Sequence, residues 1–258
     1  MNHPVAPTLP TQDPWIALRR YTDARIALGR VGASLMTDQV LAFSMAHARA
    51  RDAVHLALDT GRMAASLEAA GFQTLRAASR ATDRAAYLKR PDLGRALAPE
   101  CRPPLAISGT APRNRLTVVV ADGLSALATI EHALPLLLAL RARLTTWELD
   151  AVVIATQARV ALADEIGELR GAEAVVILLG ERPGLSSPDS LGMYMTYAPR
   201  QGRSDSERNC ISNVRAAGLS YAEAAYKLHY LLEQARLGGR SGITVKDSSA
   251  WDAQQHLL

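Results

Sequence analysis

A single carboxylate set between two glycines is the first place to look for chemistry: Glu181 in Gly180-Glu181-Arg182-Pro183-Gly184. Glycine lets backbone come close to a flat or bulky ligand, and proline stiffens the turn. Glu181 adds a charged acceptor for ligand N–H groups. Asp189, further along the same loop, could share acid–base work with it, but a loop does not enforce that pairing. Cys210 is a candidate thiol nucleophile with no histidine near it in sequence. His47 and His55 lie two turns apart on a helical stretch, a poor spacing for one shared ion, so no metal site is expected. Phosphate loops of the Gly-x-x-x-x-Gly-Lys-Ser/Thr type, Gly-x-Gly-x-x-Gly dinucleotide turns, Gly-x-Ser-x-Gly elbows and His-Glu-x-x-His helices are all missing. These residues alone read as a binding domain rather than a complete active site. An ordinary strand-loop-strand with a structural turn fits the Glu181 loop equally well.

The elements that must position these residues follow from periodicity. Val175 to Leu179 is an apolar, β-branched run that reads as a buried strand ending at Gly180. Leu116 to Val120 and Ala151 to Ile154 read the same way, with helices over Leu127 to Leu140 and Leu162 to Arg170 between them. Pro135 argues for a start or kink in the first of these helices. Strand and helix alternating at this spacing make an α/β fold with a mostly parallel sheet. Three loops then leave one sheet edge, at Asp122, at Gln157 to Val160 and at Gly180 to Gly184, beyond the strand ends where such sheets hold ligands. Leu191 to Tyr197 alternates as a further strand. Residues 205–213 are polar and read as irregular. Ser220 caps a helix, with Glu223 completing a capping box, and Gly238-Gly239 stops it. Ile243 to Val245 reads as a last edge strand.

Residues 1–12 read as a flexible arm and 13–97 as a helical N-terminal domain. Asp13 caps a helix opening at Pro14. Arg19, Arg20, Arg25 and Arg30 make either a solvated face or a docking surface for an acidic partner. On the next helix Val40, Leu41, Met45, Ala48, Val54 and Leu58 can share an apolar side. Asp59-Thr60-Gly61 breaks that helix. Prolines cluster over residues 98–115, which reads as a linker without regular structure. Residues 116–258 form the α/β domain.

The totals narrow the function classes. Of 258 residues 48% are apolar, enough for a sizeable core, and 29 Lys and Arg face 25 Asp and Glu. A net charge of +4 is too mild to demand nucleic acid, which calls for a denser basic stripe with aromatics between. Two cysteines make neither a disulfide framework nor a four-ligand zinc site and point to a reducing, cytosolic setting. The start of the chain has no leader-like apolar core, and no apolar run is long enough for a membrane span.

Several long segments resemble the small (light) subunit of ethanolamine ammonia-lyase, the adenosylcobalamin-dependent enzyme that converts ethanolamine to acetaldehyde and ammonia. They are LRRYTDARIALGRVG from Leu18, AHARARDAVH from Ala46, RPDLGR from Arg90, VVADGLSALA from Val119, GERPGLSSPDSLGMYMTYAPR from Gly180, ERNCISN from Glu207 and GLSYAEAA from Gly218. They span residues 13–247 in the family's order. The resemblance implies a helical N-terminal region followed by a Rossmann-like α/β domain. It implies a large catalytic subunit as partner, paired with this chain and assembled into a ring of six large and six small subunits. It places the cofactor between the two subunits with dimethylbenzimidazole still on cobalt. The missing Asp-x-His-x-x-Gly, by which many cobalamin proteins present a histidine to the metal, agrees with that. The cofactor contacts carried over are Val160, Glu181 and Cys210, with Asp122, Arg159, Gly180, Arg182 and Pro183 as weaker neighbours. No catalytic residue is expected here. The resemblance implies a cytoplasmic protein, and many family members are packed in bacterial microcompartments. Met36 departs from the family's Pro at the entry to the second helix. A structural adaptor without cofactor contacts and a stand-alone nucleotide-using enzyme are the competing readings.

Overall fold

The apolar runs become strands covered on both faces. The computed structural model describes residues 13–109 and 113–251, so the arm at 1–12 lies outside the described residues. The elements are α1 (Thr37–His55), α2 (Thr60–Ala69), β1 (Thr74–Ala78), α3 (Arg84–Lys89), α4 (Pro91–Gly94) and α5 (Arg102–Leu105). They continue with β2 (Arg115–Ala121), α6 (Ala126–Arg143), β3 (Glu148–Leu149), β4 (Val152–Thr156), α7 (Leu162–Leu169) and β5 (Ala174–Gly180). β6 (Leu191–Tyr197), β7 (Asn209–Val214) and α8 (Tyr221–Gly238) complete the chain. The sheet runs β1-β4-β2-β5-β6-β7, with β3 a short extension beside β2. β1, β4, β2 and β5 are parallel, while β6 and β7 are antiparallel.

Alternation along the strands feeds two cores. Val118, Val120, Ile154, Val176 and Leu178 face α2, α6 and α8. Val119, Ala121, Val153, Val175 and Ile177 face α7 and the short helix α5. Burial on both faces is why β2 and β5 are nearly unbroken apolar runs. The chain leaves β2 for α6 on one face and β4 for α7 on the other. A crevice opens between such diverging connections, at the carboxyl ends of the strands.

Five segments differ from the sequence reading. β1 lies in a stretch read as wholly helical, upstream of the presumed linker. Its residues Thr-Leu-Arg-Ala-Ala carry little strand preference, and parallel pairing with β4 decides their state. The proline-rich stretch holds a short 3-10 turn at Pro99–Cys101 and α5, with prolines in first-turn positions where no N–H is needed. β7 replaces the irregular segment expected at 205–213, because β6 offers it a ladder with Tyr194 opposite Cys210. Ile243 to Val245 is a turn closed by Val245 N–H on Gly242 O at 2.9 Å, not an edge strand. α6 runs through Pro135 without a break.

The N-terminal region turns its apolar residues outward. Residues 14–21 form a 3-10 helix whose Trp15 N–H is capped by Asp13 at 2.9 Å. Trp15, Tyr21, Leu41 and Met45 are each more than half exposed. Part of the arginine run is spent on its own segment. Arg19 donates to Ile26 O at 3.0 Å and Ala27 O at 2.7 Å, and Arg25 donates to Gln39 O at 2.9 Å. Met36, at the cap position of α1, makes no side-chain cap bond. Among the described residues no helix is long and apolar enough to cross a membrane.

The turn that delivers β7 is held electrostatically. Ser204 and Glu207 form a capping box, and Arg203 pairs with the Glu207 carboxylate. These bonds hold the Glu207 carboxyl well down, from 4.5 to about 2, the Ser204 N–H being the largest cause. The fold therefore favours the ionised form. The contribution is full above pH 4.5 and is lost as pH falls towards 2. Between those limits Glu207→Gln is expected to lose less melting temperature on acidification than the unsubstituted chain. Circular dichroism melts across that range check this; parallel curves would contradict it.

Candidate functional site

Two adjoining cavities lie beyond the carboxyl ends of β2, β4 and β5. The larger, about 460 Å³, is lined by Tyr87, Leu124, Arg159, Val160, Gly180 and Glu181, among others. The second, about 290 Å³, is lined by Arg95, Arg159, Val160, Asp205, Arg208 and Cys210, among others. Arg159, Val160 and Tyr194 line both. Val160 therefore sits where the cavities meet, with Glu181 on one side and Cys210 on the other. Arg182 lines the larger cavity too, whereas Pro183 lines neither.

Glu181 leaves the end of β5 in a fixed orientation. Its N–H donates to Ser190 O at 2.9 Å. Its Oε2 accepts from the Ser190 hydroxyl and, at 3.2 Å, from Asn213 N–H on β7. Among the described residues no hydrogen bond reaches Oε1, which stays available as an acceptor. Asp189 pairs instead with His132, Nε2 to Oδ2 at 3.3 Å, so the two loop carboxylates have separate partners.

Asp122 organises the neighbouring loop rather than the cavity. It is 2% exposed and accepts from Gln157 N–H at 2.9 Å and Ala158 N–H at 3.2 Å. Those bonds hold the turn in which Gln157 takes φ +54°, and that turn presents Arg159 and Val160. Arg84 lies 3.6 Å from the same carboxylate. Burial nonetheless pushes the Asp122 carboxyl up, against the backbone N–H groups and Arg84.

A tyrosine platform lies behind the loop. Tyr87 is fully buried and donates to Ala158 O at 3.1 Å, and burial raises its phenol to about 12. Guanidinium carbons of Arg84 and Arg159 lie 4.7 and 4.5 Å from its ring centre. Three buried polar atoms at this edge lack partners: Arg84 Nη2, Gln157 Oε1 and Arg159 Nε.

Cys210 hydrogen-bonds to Tyr194 and lies 3.2 Å from Ser212 Oγ. Burial of the sulfur pushes its thiol up, although both hydroxyl partners oppose the shift. A raised thiol without a paired imidazole is a neutral contact, not a nucleophile. Tyr194 is held well above its ordinary range by burial first, then by Cys210 and Glu181, and stays a neutral phenol. Sequence reasoning missed Tyr194 and Tyr87. Tyr194 sits in a visible alternation, but only its register against Cys210 puts it between the cavities.

Parallel strands that deliver anchored, cavity-lining loops to one open edge define an open-sheet α/β protein with a crevice at its strand ends. The acceptor, thiol and guanidinium groups gathered there suit a large polar ligand. The family model described as "Ethanolamine ammonia-lyase light chain (EutC)" matches residues 12–246. The small subunit of ethanolamine ammonia-lyase from Azotobacter vinelandii is 56% identical over 245 residues, covering 93% of this chain and 90% of that protein. The corresponding subunit from Pseudomonas syringae pv. tomato is 54% identical, covering 92% of this chain and 84% of that protein. That from Ralstonia nicotianae is 53% identical, covering 94% and 92%. The chain belongs to the ethanolamine ammonia-lyase light chain family. It is thus a subunit of a carbon–nitrogen lyase, and as a small subunit it has a large-subunit partner.

Proposed function

We propose that this chain builds one side of the adenosylcobalamin site of ethanolamine ammonia-lyase, the large subunit supplying the other side and the groups that act on ethanolamine. The observation that carries the reading is the convergence of Val160, Glu181 and Cys210, from three separate segments, on two adjoining cavities. The residues fit the group. Corrin side chains are neutral amides that both donate and accept. Glu181 Oε1 accepts from an amide N–H, and Arg159, which lines both cavities, carries an unpartnered Nε at the same edge. Val160 and the Tyr194 ring supply apolar contact, and Cys210 fills a small polar corner. When bound, the cofactor supplies a cobalt–carbon bond whose homolysis begins the radical chemistry. The chain's own part is to hold, orient and keep water away.

The exposed apolar residues of 13–56 are the docking surface for the large subunit in this reading. A 3-10 helix and α1 that leave Trp15, Tyr21, Leu41 and Met45 in water call for a covering partner. Assembly into a ring of six large and six small subunits belongs to the same proposal, as does residence in the cytoplasm or a microcompartment.

Co-expression with a large subunit, followed by an absorption spectrum of the purified complex after adenosylcobalamin loading, tests the proposal. A retained corrinoid spectrum with ethanolamine-dependent aldehyde release is expected. If the large subunit alone retains the corrinoid as firmly as the complex does, this chain is an adaptor and the proposal fails.

A further inference from the structure

Away from those cavities, a buried imidazole meets two carboxylates. His132 on α6 is 5% exposed. Its Nε2 lies 3.3 Å from Asp189 Oδ2 in the β5–β6 loop and 3.8 Å from Glu131 Oε2. One ligand atom from each of the three residues falls within 4.8 Å of the others. Nδ1 is 2.9 Å from the Tyr221 hydroxyl at the start of α8. Three elements far apart in sequence thus converge on one ring.

The charge around this ring is not balanced by protein. Lys and Arg outnumber Asp and Glu in the chain, 29 to 25. Yet among the described residues neither Glu131 nor Asp189 has a Lys or Arg within ion-pair distance, and each faces only His132. Two carboxylates without a Lys or Arg partner, set beside a buried imidazole, attract a cation.

We infer that Glu131, His132 and Asp189 form a binding site for a divalent transition-metal ion of the zinc class. Imidazole and carboxylate are the donors such ions take, at about 2.0–2.2 Å. Coordination at Nε2 puts the ring proton on Nδ1, where the Tyr221 oxygen accepts it. A hydrogen bond from the far ring nitrogen is the usual outer support of a histidine ligand. Closing the site needs small shifts, and the Glu131 side chain, 48% exposed, is free to make them. The neighbouring loop is already braced, because Ser125 Oγ donates to Pro188 O at 2.7 Å. With three protein ligands the ion keeps an open position for water. Its role is structural: it ties α6 to the loop that runs from Glu181 to Ser190.

The test uses the full-length chain, stripped with chelator and titrated with Zn²⁺ by calorimetry, with Mg²⁺ as the hard-ion control. One Zn²⁺ per chain is expected, with little response to Mg²⁺. Glu131→Gln and Asp189→Asn should each weaken Zn²⁺ binding by about tenfold or more, the scale on which even outer-shell losses act. Glu131 is largely exposed, so its variant keeps the fold, and a melt confirms that. Unchanged affinity in both variants would place the ion on other histidines and overturn the site. Absence of Zn²⁺ binding to the unsubstituted chain would overturn it as well, leaving hydrogen bonds alone to hold the cluster.

Discussion

Glu181→Ala lowers the affinity of the assembled enzyme for adenosylcobalamin by about 10- to 100-fold, from a charge-assisted hydrogen bond of about 1.5–3 kcal/mol. The free oxygen Oε1 carries this expectation. Oε2 is already engaged by Ser190 and Asn213 N–H, so it orients the group while Oε1 meets the ligand. Stability should suffer far less. Glu181 is only half-buried and Asn213 is exposed, so water can take over that bond, and only the buried Ser190 hydroxyl loses its partner outright. Equilibrium binding of the corrinoid, read by absorbance, gives the first quantity and a thermal melt the second. A variant complex with unchanged affinity removes Glu181 from the site. A variant that melts much earlier shows the residue to be a brace for the β5–β7 corner instead.

Gly180→Ala is expected to destabilise the chain by about 3 kcal/mol, at the upper end for overpacking. That corresponds to a fall in melting temperature of roughly 6–12 °C for a domain of this size. The reason is backbone against backbone. An added Cβ would stand 2.6 Å from Ser125 C and 2.8 Å from Asp122 O, and closer still to Ser125 O. No side chain can turn aside to make room. The same contact seals the site: Leu124 N–H donates to Gly180 O at 2.8 Å, closing the β2–α6 loop over the end of β5. The variant should therefore lose cofactor affinity as well, since Glu181 is the next residue along. A melt within about 2 °C of the parent, well inside the scale per kcal/mol, would mean that the two loops part easily.

Local pattern made much of the fold legible. Val175 to Leu179 and Leu116 to Val120 are too apolar and too β-branched for a surface helix, so strands follow from residue type alone. Capping is equally local. Ser220 accepts from Glu223 N–H at 3.2 Å, and Gly239 ends α8 with φ +64°. The reciprocal bond from the Glu223 side chain does not form, whereas Ser204 and Glu207 make a full capping box that sequence does not reveal, because no apolar run follows it. Thr74–Ala78 carries helix formers and becomes a strand only against β4. Asn209–Val214 carries polar residues and becomes a strand only against β6.

The sequence by itself determined an α/β chain whose parallel strands send Asp122, the Gln157–Val160 turn and Glu181 to one edge, because alternation and connection length are written in neighbouring residues. Only the tertiary structure decided which of those groups face a cavity and which brace a loop. Asp122 went to the Gln157 turn, Tyr194 came between Glu181 and Cys210, and His132 met Asp189 across 57 positions. The physical reason is range. A hydrogen bond between distant segments forms once burial of the whole sheet fixes their separation, and no local pattern carries that distance.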